Sequence, residues 1–151
     1  MSEAVRIQRH VTYAAAAEAL AAGLAKAAEL GVNAGVVVTD ASGEIVAAGR
    51  TDGASPKVWR GGLMKATAAA GMGRSTKEFL EKRLTKDEVL WRAMSANPET
   101  FLVPGGVPLL FEGKSVGAVG VSGGHYDDDT TVAEAAAARF AELVGEVGPS
   151  S

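Results

Sequence analysis

The chain has 151 residues, 47% hydrophobic and 22% charged, which suits one globular domain (residues 1–151) that buries a core without metal or disulfide staples. Its formal net charge of -3 argues against a nucleic-acid partner, which would need a basic patch or stripe, and the absence of cysteine removes disulfides and thiolate chemistry. No stretch approaches the roughly 18 apolar residues of a membrane span, and MSEAVRIQRHVTY lacks an apolar signal core, so a cytoplasmic location is expected.

Residues 11–30 predict a helix. Tyr13, Ala17, Leu20, Leu24, Ala27 and Ala28 recur at helical spacing, and Gly31 follows as a stop. The β-rich run VNAGVVVTD, the turn Ala41-Ser42-Gly43 and the run EIVAAGR then form a hairpin signal. Arg50-Thr51-Asp52-Gly53 closes it, and Ser55-Pro56 opens a helix over 56–72. Ser75-Thr76 starts a second helical stretch, and Thr85-Lys86-Asp87-Glu88 caps a third that runs to about Met94 and ends at Asn97-Pro98.

The segment 104–124, PGGVPLLFEGKSVGAVGVSGG, holds seven of the nineteen glycines. Glycine is costly inside a strand, so this density implies tight turns or backbone brought close to a helix, a partner subunit or a ligand. VPLLF and SVGAVGV flank Glu112-Gly113-Lys114 as a second hairpin. A last helix starts near Asp127 to Asp129 and carries Val132, Ala136, Phe140 and Leu143 as its stripe; the tail 146–151 should fray. Two hairpins among helices predict an α/β (α+β) fold with a mainly antiparallel sheet and helices on its faces.

The words VVVTDASGEIVAAGRTDGA at 36–54, LMKATAAA at 63–70, PGGVPL at 104–109 and VGAVGVSGG at 116–124 resemble the GlcG/HbpS-like family of haem-binding and haem-associated proteins, which includes the C-terminal domain of PduO-type corrinoid adenosyltransferases. The likeness runs from about residue 12 to 143. It implies a profilin-like sandwich with a sheet of about five strands, assembly into homo-oligomers, and binding of haem or another small molecule. The chain departs from the family pattern at His125-Tyr126, where small polar residues are usual, and in the long, charged stretch KRLTKDEVLWRAMSANPET.

His125 stands where a glycine turn meets a helix start, as a candidate acid–base group or axial haem ligand, or as a plain surface histidine. Tyr126 beside it could share proton transfer. His10 is its rival as haem ligand. Arg50 and Asp52 read either as a carboxylate anchor with its orienting acid or as an internal salt bridge. Lys65 lies among small apolar residues; desolvated, it would be a nucleophile or base, otherwise it snorkels. Gly105-Gly106 and Gly123-Gly124 can present main-chain amides to a ligand, although the three aspartates that follow oppose an anion and suit helix capping.

Other motifs carry less. Gly113-Lys114-Ser115 imitates the end of a P-loop, but Pro108 replaces the required glycine. No His/Asp/Glu spacing resembles a zinc site. Trp59 and Trp91 are packing residues or an aromatic wall for a planar ligand. Three functions therefore stand: a haem or small-molecule binder, a cofactor-independent isomerase or lyase for a small carboxylated catabolite with Arg50 as carboxylate anchor and His125, Tyr126 and Lys65 as catalytic candidates, or a structural or regulatory oligomer.

Overall fold

The computed structural model describes residues 2–146. Five α-helices and four strands follow in the order α1 (Tyr13–Leu30), β1 (Gly35–Asp40), β2 (Ile45–Arg50), α2 (Val58–Met72), α3 (Thr76–Lys82), α4 (Glu88–Ser95), β3 (Gly106–Phe111), β4 (Lys114–Ser122) and α5 (Tyr126–Val144). The strands form one antiparallel sheet in the order β2-β1-β4-β3. The expected fifth strand is absent among the described residues. Two hairpins supply only four strands, and the segment before α1 stays outside the sheet, with Val11 N donating to the Val116 carbonyl at 2.8 Å. The tail expected to fray lies outside the described residues beyond 146.

Helix α1 begins where Thr12 accepts from Ala15 N and ends at Gly31, whose φ of 68° is the left-handed conformation that glycine adopts without strain. It packs with α5 on one face of the sheet. There Val36, Val38, Val119 and Val121 meet Ala16, Ala19, Val132, Ala136 and Phe140. Such burial contributes about 25 cal/mol per Å² of apolar surface removed from water.

Helix α2 covers the other face, over β1, β4 and β3. It starts at Val58 rather than at Pro56, because Val58 N donates to the Ser55 carbonyl in a preceding turn. Its inner surface, Gly62, Ala66 and Ala69, is almost without side chains, as is the facing strand at Ala118 and Gly120. A Cβ on Gly120 would fall on the Gly62 carbonyl oxygen, and one on Gly106 on the Lys65 carbonyl oxygen. The glycine-rich hairpin therefore brings backbone against a helix, one of the three bodies its composition allowed.

Candidate functional site

Two buried groups organise the end of the sheet where β1 starts and β4 finishes. Lys65 belongs to the buried stripe of α2 with Val58, Gly62 and Ala69, and is 2% exposed. Its Nζ donates to the Val121 carbonyl at 2.8 Å and to Asp129 Oδ2 at 3.0 Å. The other carboxylate oxygen, Asp129 Oδ1, accepts from Gly124 N at 3.1 Å. The Lys65–Asp129 pair thus ties α2, the end of β4, the Gly123-Gly124 turn and α5 together.

Burial pushes the Lys65 amine below its ordinary value, opposed by the charge and hydrogen bond of Asp129. Burial likewise pushes the Asp129 carboxyl up, opposed by Lys65 and by the Gly124 amide. Of the three aspartates expected to cap α5, only this one turns inward. The signal was helix phase: Asp129 extends the stripe of Val132, Ala133, Ala136 and Phe140 backwards by one turn.

The neighbouring glycines pack closely around this pair. Gly105 has φ 130°, and a Cβ there would stand 2.9 Å from Lys65 Nζ and 2.8 Å from the Val121 oxygen. Gly105 O accepts from Val121 N, and Gly106 N donates to Thr76 Oγ1 at 3.0 Å, while that buried hydroxyl donates to the Val103 carbonyl. Gly123, also at φ 130°, packs on the Asn33 carbonyl. Of the four glycine amides proposed for a ligand, those of Gly106 and Gly124 are already engaged by Thr76 and Asp129.

His125 is the N-cap of α5, which starts at Tyr126, one residue before the expected range, and its Nδ1 accepts from Asp127 N at 3.1 Å. Its ring centroid lies 4.0 Å from that of Tyr126. His10 is at the opposite end of the sheet, where its Nδ1 accepts from Ala41 N at 3.2 Å. β1 separates the two histidines by roughly 17 Å at about 3.3 Å per residue, so within one protomer they serve different places.

Arg50 is exposed at the end of β2 and pairs in register with Gly35, which pairs with Ser122 on its other side. That puts its backbone two strand spacings, about 10 Å, from β4. Neither Arg50 nor the exposed Asp52 makes an ion pair among the described residues, so the internal salt bridge is absent there. The regions around 65, 105 and 125 converge; the region around 50 stands beside them.

Next to this cluster, α3, α4 and the segment after α4 border a half-open cavity of about 510 Å³ against the start of α5. Leu80, Leu84, Trp91, Met94, Phe101 and Tyr126 line it, with Lys77, Glu81 and Asp127 as its charged groups. Sequence reading placed Tyr126 and Trp91 as candidates but missed the others, which are scattered over some fifty positions. Helix α4 has no fully buried residue, and Trp91 is 47% exposed. The Phe101 ring links cavity and ion pair, since Lys65 Nζ lies 5.9 Å from its centroid.

Haem is held in proteins by an axial imidazole, thiolate, thioether or phenolate within an apolar slot. Here the apolar walls carry a phenol, Tyr126, and a thioether, Met94, while neither histidine lines the cavity. The donor set fits haem through Tyr126 or Met94. No group of three or more His, Asp or Glu side chains able to hold a bare metal ion occurs among the described residues, and no helix there is long and apolar enough to cross a membrane.

Comparison with known proteins places the chain. A 15.0 kDa protein of Citrobacter freundii, from the dhaT-dhaS intergenic region, is 32% identical over 133 residues, 88% of this chain and 94% of its own. The crystal structure of Klebsiella pneumoniae ORFY superposes with a TM-score of 0.82 at 29% identity, covering 91% of this chain and 94% of that one. A double mutant of Streptomyces reticuli HbpS gives a TM-score of 0.78 at 32% identity, over 89% and 90%. The PduOC:Heme complex, at 22% identity and a TM-score of 0.76 over 86% and 94%, shares the fold. Residues 11–138 match the family model described as haem degrading protein HbpS-like, and the chain belongs to that HbpS-like family.

Proposed function

We propose that this protein binds a small, largely planar apolar ligand, haem among them, in the cavity between α3, α4 and the start of α5. The observation that carries the reading is the cavity itself, with Trp91, Phe101 and Tyr126 as aromatic walls and few charges at its edge. Membership of the HbpS-like family and the haem held by PduOC, a protein of the same fold, support haem as the ligand class. Tyr126 would hold the iron through its phenol oxygen, with Met94 as the alternative donor. Bound there, haem would supply an iron centre, and the chain's part would be to border it with apolar walls and supply a ligand to the iron. Among the charged groups only Lys77 can pair with a propionate, since Glu81 and Asp127 repel it.

Haemin titration tests this. The wild type should show a saturable, sharpened Soret band, Tyr126→Phe should shift that band, and Trp91→Ala should weaken binding about tenfold, equivalent to about 1.4 kcal/mol. His125→Ala should leave the band in place. A wild-type spectrum indistinguishable from free haemin would end the haem reading, and a band lost in His125→Ala but kept in Tyr126→Phe would move the ligation to the helix cap.

A further inference from the structure

Lys65 is a buried amine that ligand binding in the cavity does not use. Two directions around Nζ are taken by the Val121 carbonyl and Asp129 Oδ2. Another faces the Phe101 ring. That ring is also a wall of a second cavity of about 400 Å³, against the outer face of α2, so it borders the amine and both spaces. Phe101 is half-buried and stands in residues 96–105, which carry neither helix nor strand. Reaching the cavity takes a χ1 change of this residue, because the buried Gly105 backbone closes the adjoining flank, where a Cβ would stand 2.9 Å from Nζ.

We propose that Lys65 forms an imine with a small apolar aldehyde or ketone held in the cavity, with Asp129 as its proton partner. This rests on the cavity reading above and adds a reaction to it. A buried ion pair is weak evidence for stability alone, since aliphatic residues of similar volume serve that purpose as well. Burial, moreover, favours the neutral amine and the protonated carboxyl, the two forms this chemistry requires.

The steps balance without a redox partner. A proton passes from Nζ to Asp129, and the freed lone pair forms a C–N bond while the carbonyl π pair moves to oxygen. A proton then travels from nitrogen to that oxygen by way of the Asp129 carboxyl, giving a carbinolamine. Asp129 donates its proton to the hydroxyl, the C–O bond breaks, and water leaves. The nitrogen lone pair closes an iminium that stays paired with the Asp129 carboxylate.

The test is incubation of the intact protein with cinnamaldehyde and cyanoborohydride, which reduces an iminium to a stable amine, followed by peptide mass mapping. Lys65 should be labelled faster than the exposed Lys57 and Lys114 despite its burial, and Phe101→Ala should speed labelling there. Asp129→Asn should slow it about a hundredfold, the scale of general acid–base assistance, without changing labelling of Lys57. The wild-type map decides even if that variant fails to fold. Cinnamyl alcohol, which lacks the carbonyl, separates the two readings. If it binds but Lys65 stays unlabelled, the imine proposal alone is overturned; if neither it nor haemin binds, both readings fall.

Discussion

Lys65 Nζ and Asp129 Oδ2 meet 3.0 Å apart, with side chains 2% and 3% exposed, and join two helices on opposite faces of the sheet. Removing one partner leaves the other charge buried and unpaired, which costs about 3–5 kcal/mol, whereas replacing both with apolar groups of similar size avoids most of that penalty. Lys65→Met and Asp129→Leu should each lower unfolding stability by that amount, and the double variant should lie above either single one. Chemical denaturation of all four proteins checks this. Strict additivity of the two losses would show that the pair is not energetically coupled.

The same pair gives wild type and double variant different pH profiles. Lys65 is shifted below its ordinary 10.5, so between its folded value and 10.5 only the unfolded chain holds the proton, and stability rises with pH there. Asp129 is shifted above 3.8, so between 3.8 and its folded value only the folded chain holds the proton, and stability falls as pH rises through that window. The stability of wild type minus that of Lys65→Met/Asp129→Leu should therefore be lowest on the plateau between the two folded values and climb towards both ends. Denaturation across pH 4 to 10 measures it; a difference that peaks at mid-range would reverse both directions.

The sheet carries one buried polar atom without a partner, Thr39 Oγ1, at 0% exposure. By strand alternation it shares the α2-facing side of β1 with Val37. An unmade hydrogen bond of this kind costs about 1–3 kcal/mol. Thr39→Val, which keeps the shape and removes the hydroxyl, should raise the thermal midpoint, with a gain of about 1 kcal/mol. A loss on the same substitution would mean that the hydroxyl is satisfied in solution.

Periodicity made most of this fold legible. Helical spacing announced α1 and Gly31 its end, although the buried stripe runs through Ala16, Ala19, Gly23 and Ala27 and leaves Tyr13 exposed. The Ala41-Ser42-Gly43 turn announced the first hairpin, and each signal is a local consequence of 3.6- or 2-residue spacing. The site was legible only where one position carried its own signal. Lys65 stood out as a charge among alanines, but in Asp127-Asp128-Asp129 three identical letters differ only in the face they present. The cavity had no local signature, since α3, α4, residues 100–104 and α5 meet only by tertiary packing. Arg50 misled in the opposite way: it ends a strand beside the site, and sequence order does not reveal the two strand widths between.

Packing of α2 on the sheet makes the sharpest demand on particular glycines. At Gly120 a methyl group would collide with the Gly62 carbonyl oxygen and stand 2.5 Å from Ala66 N, both backbone atoms that cannot swing aside. Gly120→Ala should therefore force α2 off the sheet, and with it Lys65, with a loss above about 3 kcal/mol or failure to fold. Gly71, on the same helix, has nothing within 4 Å of its would-be Cβ and carries no left-handed φ. Gly71→Ala should stabilise the helix by up to about 1 kcal/mol, the propensity difference between the two residues. Thermal melts of the two variants give opposite shifts if close backbone approach is what the hairpin glycines supply, and similar shifts if glycine merely lends the chain flexibility.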